Sequence, residues 1–117
     1  MYKFKTDLNL SHLIKDELIQ ICIGANELIF NFHSNNSITI LGEWSLINKE
    51  CHEIDKCEEH SNRKAYYIHN LLGKKIEAYN IVNPSQLNLN FEGGYTLEIY
   101  DDSDQYESCL ISPGIII

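Results

Sequence analysis

The stretch QLNLNFEGGYTLEIY, at residues 86–100, decides the fold class. Its first six residues alternate polar with apolar side chains up to Phe91, and a period of two is typical of a strand with one buried face. Residues 92–94 include two glycines, which tolerate the positive φ angles that a tight hairpin requires. Alternation resumes at Leu97 and Ile99, so the stretch predicts a β-hairpin.

The same pattern occurs earlier in the chain. Residues 27–32, ELIFNF, align with residues 86–91, QLNLNF, at an offset of 59 residues, and Ile38 then aligns with Leu97. The segments that precede the two hairpins align at an offset of 58 residues. An ungapped match across both strands and the turn indicates an internal repeat.

The two copies of the repeat, at about residues 8–44 and 66–103, each predict a three-stranded antiparallel meander, because a third alternating segment precedes each hairpin. A short helix is predicted at the start of each copy, most clearly at residues 65–72. Two meanders related by a pseudo-twofold axis can bury their apolar faces on each other. We therefore expect a single mainly-β domain over residues 1–117, a small sandwich or half-barrel with one or two short helices, with an α+β class as the alternative.

Residues 48–62 lie between the copies and contain almost no apolar side chain apart from Ile54. We interpret them as an exposed loop or a partly disordered connector. The weak candidates for metal ligands in this connector are Cys51, His52, Cys57 and His60. Two cysteines and two histidines are a zinc ligand set in kind, but their spacing does not match that of compact zinc fingers. We therefore expect neither a bound metal nor another cofactor.

Negative charge is concentrated in the last third of the chain. The protein has 17 acidic and 9 basic residues and a formal net charge of −8. Residues 76–117 contain seven of the acids and no Lys or Arg, and four of these acids crowd into residues 101–107. Like charges this close repel one another, so the run is a solvated loop, a calcium loop or a docking surface for a basic partner. The spacing lacks the central Gly and distal Glu of an EF-hand, which disfavours calcium.

Tyrosines interleave with these acids, and aromatic side chains beside charge are typical of protein interfaces. The predicted partner-binding residues are Asp101, Asp102, Asp104, Tyr106, Glu107, Glu92 and Tyr95.

Several function classes are disfavoured by what the sequence lacks. There is no Gly-rich phosphate loop, no Gly-x-Ser-x-Gly elbow and no His-Glu-x-x-His motif, so we do not expect an enzyme. The acidic composition disfavours direct binding of nucleic acid, which requires a basic surface. No apolar run is long enough for a signal peptide or a membrane span, so we expect a cytoplasmic protein whose cysteines are thiols.

Residues 87–108, LNLNFEGGYTLEIYDDSDQYES, resemble a family of small bacterial proteins of unknown activity. The shared signature is a hairpin ending in an aspartate pair, followed by Gln-Tyr-Glu-Ser, and Cys109 departs from the aromatic residue expected next. The resemblance implies a small β-rich fold.

Stand-alone acidic proteins of this size are also similar to immunity proteins of bacterial toxin systems, including contact-dependent growth inhibition. That analogy implies a non-enzymatic protein that covers the active site of a basic toxin, with a nuclease as the expected toxin. The alternative is a small metal- or ligand-binding domain that uses the Cys/His connector or the acidic loop.

Overall fold

The computed structural model describes Phe4, residues 7–58, Arg63, residues 65–101, residues 109–112 and the backbone of residues 115–116. The strands in this part of the chain are β1 (Leu18–Ile23), β2 (Leu28–Phe32), β3 (Ser37–Ile40), β4 (Trp44–Ile47), β5 (Glu53–Lys56), β6 (Ile76–Asn83), β7 (Gln86–Phe91), β8 (Tyr95–Tyr100), β9 (Cys109–Ile111) and β10 (Ile115–Ile116). Single turns of 3₁₀ helix occur at Ser11–Leu13, Ile68–Leu71 and Glu92–Gly94.

The strands form two five-stranded antiparallel sheets, with the orders β1-β2-β3-β9-β10 and β5-β4-β8-β7-β6. The predicted mainly-β class is confirmed, because one predicted meander, β1–β3, lies in the first sheet and the other, β6–β8, lies in the second. Buried side chains from both sheets join in one core cluster, as in a small β-sandwich. The short helices expected before each meander are 3₁₀ turns, and no α-helix occurs among the described residues.

The alternating side chains of both hairpins form this core. The buried residues of the two hairpins are Leu28, Phe30, Phe32, Ile38, Ile40, Leu87, Leu89, Phe91, Leu97 and Ile99. Burial of one face of each strand explains why the period of two is so clear in the sequence.

Each half of the chain contributes its last hairpin to the sheet of the other half. The β4–β5 hairpin pairs with β8, where Trp44 is opposite Ile99. The β9–β10 hairpin pairs with β3, where Cys109 is opposite Ile40. Since Ile40 and Ile99 are equivalent in the repeat, Trp44 and Cys109 occupy equivalent positions. The two halves are therefore interlocked.

Reciprocal backbone hydrogen bonds join the starts of β1 and β6. The Leu18 N–H donates to the Lys74 carbonyl at 2.9 Å, and the Ile76 N–H donates to the Asp16 carbonyl at 3.2 Å. The offset of 58 residues relates Leu18 to Ile76 and Asp16 to Lys74, so the two bonds are equivalent. The residues between them form an isolated antiparallel bridge across the pseudo-twofold axis.

A left-handed residue precedes each of these strands. Lys15 has a φ of 68° and Gly73 a φ of 79°, and the same offset relates them. The Lys15 N–H donates to the Ile76 carbonyl at 2.7 Å, and the Gly73 N–H donates to the Leu18 carbonyl at 2.8 Å. This backbone conformation turns each chain segment out of its 3₁₀ helix and directs its N–H toward the other half.

The interpretation of residues 48–62 as an exposed loop is wrong for the part that the structure describes. Residues 53–56 form β5, and Asp55 is buried in it. Hydrogen bonds and an ion pair hold this carboxylate, and a polar residue buried in this way leaves no apolar signal in the sequence. Residues 59–62 lie outside the described residues.

The left-handed turn at Gly73 generates a stability prediction. A Cβ atom added at Gly73 would meet no atom within 4 Å, so a substitution there is strained by its φ angle alone. Gly73→Ala should lower the free energy of unfolding by about 1–2 kcal/mol. Gly73→Asn should cost less, because Asn enters the left-handed region more readily. Urea unfolding followed by Trp44 fluorescence measures both, and equal midpoints for all three proteins would contradict the assigned conformation.

Candidate functional site

A cleft of about 210 Å³ opens at one end of the sandwich. The residues that line it are Ile23, Gly24, Ala25, Asn26, Glu27, Leu28, Ile40, Leu41, Gly42, Trp44, Cys57, Glu58, Arg63 and Tyr66. They come from the β1–β2 turn, the β3–β4 connection and the chain that follows β5. The cleft therefore lies where three separate chain segments meet.

Aromatic rings hold an arginine at the cleft wall. The guanidinium carbon of Arg63 lies 4.1 Å from the ring centroid of Tyr66 and 5.6 Å from that of Trp44. Both distances are within the range of a cation–π contact. Trp44 itself is only 4% exposed, so it is a core residue whose ring also lines the cleft.

Arg63 forms a buried ion pair with Asp55. Its Nη1 lies 2.6 Å from Asp55 Oδ1, and the two side chains are 5% and 3% exposed. The same Nη1 donates to the Ala65 carbonyl at 3.3 Å, and Nη2 donates to the Lys56 carbonyl. The pair contributes no net charge to the cleft, and a buried pair of this kind needs such additional hydrogen bonds to offset its desolvation.

The Asp55 carboxylate also binds three backbone N–H groups. Oδ1 accepts from Lys56 at 2.8 Å, and Oδ2 accepts from Tyr67 at 2.7 Å and from Ile68 at 3.1 Å. Asp55 therefore fastens β5 to the chain that enters the second 3₁₀ helix. This anchor positions Arg63 and Tyr66 at the cleft.

The rim of the cleft is acidic. Glu27 and Glu58 are exposed and line it, whereas the charge of Arg63 is balanced by Asp55. The Gly24 N–H donates to the Glu27 carbonyl at 2.9 Å, which closes the β1–β2 turn and fixes the backbone that carries one of these carboxylates. An apolar floor with two carboxylates above it suits a side chain that has both apolar and cationic parts.

The predicted docking loop is described only at its first residue. Asp102, Asp104, Tyr106 and Glu107 lie outside the described residues. Asp101 is 0% exposed, so the expectation that its side chain is available to a partner is wrong. The chain turns inward after β8, where the Asp101 N–H donates to the Ser85 carbonyl at 2.9 Å, and Asp101 is enclosed by this turn.

Glu92 and Tyr95 are not brought next to Asp101. They lie at the other end of β8, which at six residues is about 20 Å long. There the Glu92 carboxylate accepts from the Lys75 N–H at 2.7 Å, and Lys74 Nζ lies 5.7 Å from the Tyr95 ring centroid. The predicted set of partner-binding residues therefore divides between two ends of the molecule.

Both ends of the acidic loop are attached beside the cleft. The Tyr100 N–H donates to the Glu43 carbonyl at 3.0 Å just before the loop, and Cys109 pairs with Ile40 just after it. Ile40 and the residues that follow it line the cleft. Residues 102–108 thus leave and rejoin the sandwich at the end where Glu27 and Glu58 lie.

The metal-ligand candidates are not gathered into one site. Cys51 and His52 are exposed in the β4–β5 turn, where Asn48 Oδ1 accepts the His52 N–H at 2.9 Å. Cys57 lines the cleft after β5, and His60 lies outside the described residues. Within the described ranges, no group of three or more His, Cys, Asp or Glu residues could hold a metal ion.

The outer face of the second sheet is polar and internally hydrogen-bonded. Its half-buried side chains on β7 and β8 are Gln86, Asn88, Asn90, Thr96, Glu98 and Tyr100. The Gln86 amide donates to Asn88 Oδ1 at 2.9 Å, and the Tyr100 hydroxyl donates to Glu98 Oε1 at 2.5 Å. Burial, and secondly the Glu98 carboxylate, raises the pKa of Tyr100 to about 12. These contacts hold the surface in a defined arrangement.

The cleft was not predicted from the sequence. Arg63 and Tyr66 sit close to a polar connector, and nothing in that composition indicates that they meet Glu27 from the first turn. The repeat contains the missing signal, because it places the chain before the second 3₁₀ helix near the β1–β2 turn of the first half.

No known protein-family model matches this chain, and no curated protein and no solved structure is significantly similar to it. Among the described residues, no helix is long and apolar enough to cross a membrane. The arguments about function therefore rest on the geometry of the site.

Removing the charge of Arg63 should destabilise the fold. Arg63→Met leaves Asp55 buried without its cationic partner, and breaking such a pair costs about 3–5 kcal/mol. Asp55 keeps three N–H donors, so we expect the lower end of that range. Urea unfolding provides the measurement.

The double variant Asp55→Asn/Arg63→Met is the control. It should recover part of the loss, because no unpaired charge remains buried. Additive losses in the double variant would show that the two side chains do not act as a pair.

The cysteines should differ in reactivity. All four are free, but Cys109 is buried and Cys51 is exposed. Burial, and secondly the Asp101 charge, raises the pKa of Cys109 from 9.0 to about 12, so its thiolate is scarce at pH 8. Iodoacetamide at pH 8 should modify Cys51 in the native protein and Cys109 only after unfolding, as mass spectrometry of the peptides would show.

The raised pKa of Cys109 also sets the direction of a stability change. Between pH 9 and pH 12 the unfolded chain loses this proton while the folded chain keeps it, so stability should fall as the pH rises through that window. Rapid alkylation of Cys109 in the native state, or stability that rises across the window, would contradict its burial.

Proposed function

We propose that this chain is a non-enzymatic acidic binding protein, an immunity protein that neutralises a basic toxin, expected to be a nuclease, in the bacterial cytoplasm. The observation that carries the proposal is the charge distribution, because residues 76–117 hold seven acids and no Lys or Arg. A region with one sign of charge steers a protein of the opposite sign toward it and raises the association rate at low salt.

The second sheet supports this proposal through its surface. The meander β6–β8 carries no Lys or Arg, and its outer face presents amides, hydroxyls and the carboxylate of Glu98. Side chains already held by hydrogen bonds lose little conformational entropy when a partner binds. A pre-ordered polar face without cations suits a basic protein surface.

The attachment of the acidic loop adds a second line of support. Residues 102–108 leave and rejoin the sandwich beside the cleft, whose rim carries Glu27 and Glu58. Acids from both halves of the chain are therefore attached at one end of the molecule. A nuclease attracts phosphates to its active site, and carboxylates can take the place of those phosphates.

The test uses cells and a toxin domain encoded by a gene next to the one for this protein. Production of the full chain should restore growth of cells that make the toxin domain, and the purified proteins should form a stable complex whose association rate falls with added salt. Unprotected cells, together with no complex at low salt, would overturn the proposal.

The variant Asp102→Asn/Asp104→Asn tests the loop. Asp101 is left intact because it is buried. The variant should bind more slowly and with a flatter salt dependence, because steering depends on these charges. The matched control, Glu50→Gln/Glu53→Gln, removes the same charge from exposed residues at the other end of the sandwich and should bind like the wild type. Equal association rates for the two variants would exclude the loop as the docking surface.

A further inference from the structure

The pseudo-twofold axis relates the cleft to a place in the second half that is filled. There the N–H of Phe4 donates to the Pro84 carbonyl at 2.8 Å, and Phe4 is 1% exposed. The hydrogen bond from the Asp101 N–H to the Ser85 carbonyl closes the same corner. An aromatic residue of the N-terminal segment thus docks at the β6–β7 turn and joins the core.

The equivalent corner of the first half is open. The repeat relates Pro84 to Ala25 and Asp101 to Gly42, and both equivalents line the cleft. Asp101 is fully buried in the closed corner, whereas Ala25 is exposed in the open one. The bond equivalent to that between Asp101 and Ser85 does not occur among the backbone hydrogen bonds of the described residues. The cleft is therefore the unfilled counterpart of the Phe4 site.

The chain itself supplies no aromatic residue at the equivalent sequence position. At the offset of 58 residues, Phe4 corresponds to Asn62, whereas the later residues Leu8 and Tyr66 correspond and both pack against the core. The volume of about 210 Å³ is smaller than the roughly 300–1,000 Å³ of most small-molecule pockets. It is on the scale of one large side chain.

The charges around the cleft indicate what should flank that side chain. In the filled corner, the docked residue lies between two lysines, in the sequence Lys3-Phe4-Lys5. In the open corner, Glu27 and Glu58 form an acidic rim, and Arg63 is neutralised by Asp55. The rings of Trp44 and Tyr66 add faces that attract aromatic groups and cations.

We propose that the cleft binds a phenylalanine or tyrosine side chain from an extended, basic segment of a partner protein, in the way that the second half holds Phe4. This inference rests on the proposed function, because it names the contact that a basic partner makes here. A buried aromatic anchor with charged neighbours is typical of the centre of a protein interface, where most of the binding energy lies. The acidic surface supplies the association rate, and the anchor supplies the residence time.

The first experiment titrates the full-length, ¹⁵N-labelled protein with the peptide acetyl-Tyr-Lys-Phe-Lys-Thr-amide, followed by NMR. Saturable shifts should appear at the amides of Gly24 and Gly42 and at the indole of Trp44, all of which line the cleft. The peptide with Ala in place of Phe should bind at least about tenfold more weakly, since loss of a buried anchor costs more than the 1.4 kcal/mol that a factor of ten represents.

A pair of charge-reversal variants provides the control. Glu27→Lys changes an exposed residue at the rim and should abolish most of the binding. Glu77→Lys makes the same change at an exposed residue of β6 outside the cleft and should leave binding nearly intact. Unchanged thermal unfolding of both variants shows that the fold survives.

The outcomes separate this inference from the proposed function. Shifts confined to the outer face of the second sheet, or equal binding of the two peptides, would overturn the cleft as an aromatic site while complex formation with the toxin still stands. Shifts at Ser85 and Asp101 would mean that the peptide displaces the chain's own segment, which also overturns it. A dimer in light scattering with cleft shifts on dilution would assign the cleft to a second copy of the chain. Binding at the cleft with no toxin complex would retain the site and reject the immunity function.

Discussion

The fold depends on the crossing of two backbone segments at the starts of β1 and β6. Each segment donates its N–H groups to carbonyls of the other, so every bond made by one half has an equivalent made by the second half. Backbone groups at the corner of a sandwich lack partners within their own sheet and cannot be buried unpaired. Here the corner groups of each half satisfy those of the other, and this exchange sets the two sheets around a pseudo-twofold axis.

The two halves share a core but differ at their surfaces, and the differences indicate where function lies. Core positions are constrained because both halves bury their alternating side chains in one cluster. Outer positions are not. Across the first sheet, one outer row is apolar or uncharged and comprises Cys22, Ile29, Thr39 and Leu110, whereas the equivalent row of the second sheet comprises Asn80, Asn88, Glu98 and Ser45. The open and closed corners are a second difference of the same kind.

The strands and hairpins could be predicted because the physical cause of each is local. Burial of one face imposes a period of two within a few residues, and the glycines at 93 and 94 have the positive φ angles that the hairpin needs. The exchange of β4–β5 and β9–β10 could not be predicted, because both sheets offer an apolar strand edge and the sequence does not state which hairpin pairs with which edge. The buried carboxylates of Asp55 and Asp101 escaped for a related reason, since only the folded chain supplies their hydrogen-bond donors or enclosing turn.

The exchanged hairpins have a consequence for synthesis on the ribosome. When β1–β3 have emerged, β3 is an open edge, and its partner β9 lies about seventy residues further along the chain. The β4–β5 hairpin likewise waits for β8. Neither sheet can close during translation of the first half, so its apolar strand edge is exposed until the last hairpin is made, and loops this long close slowly. A nascent chain of this topology therefore depends on chaperones or on rapid translation to avoid pairing its open edge with a neighbouring chain.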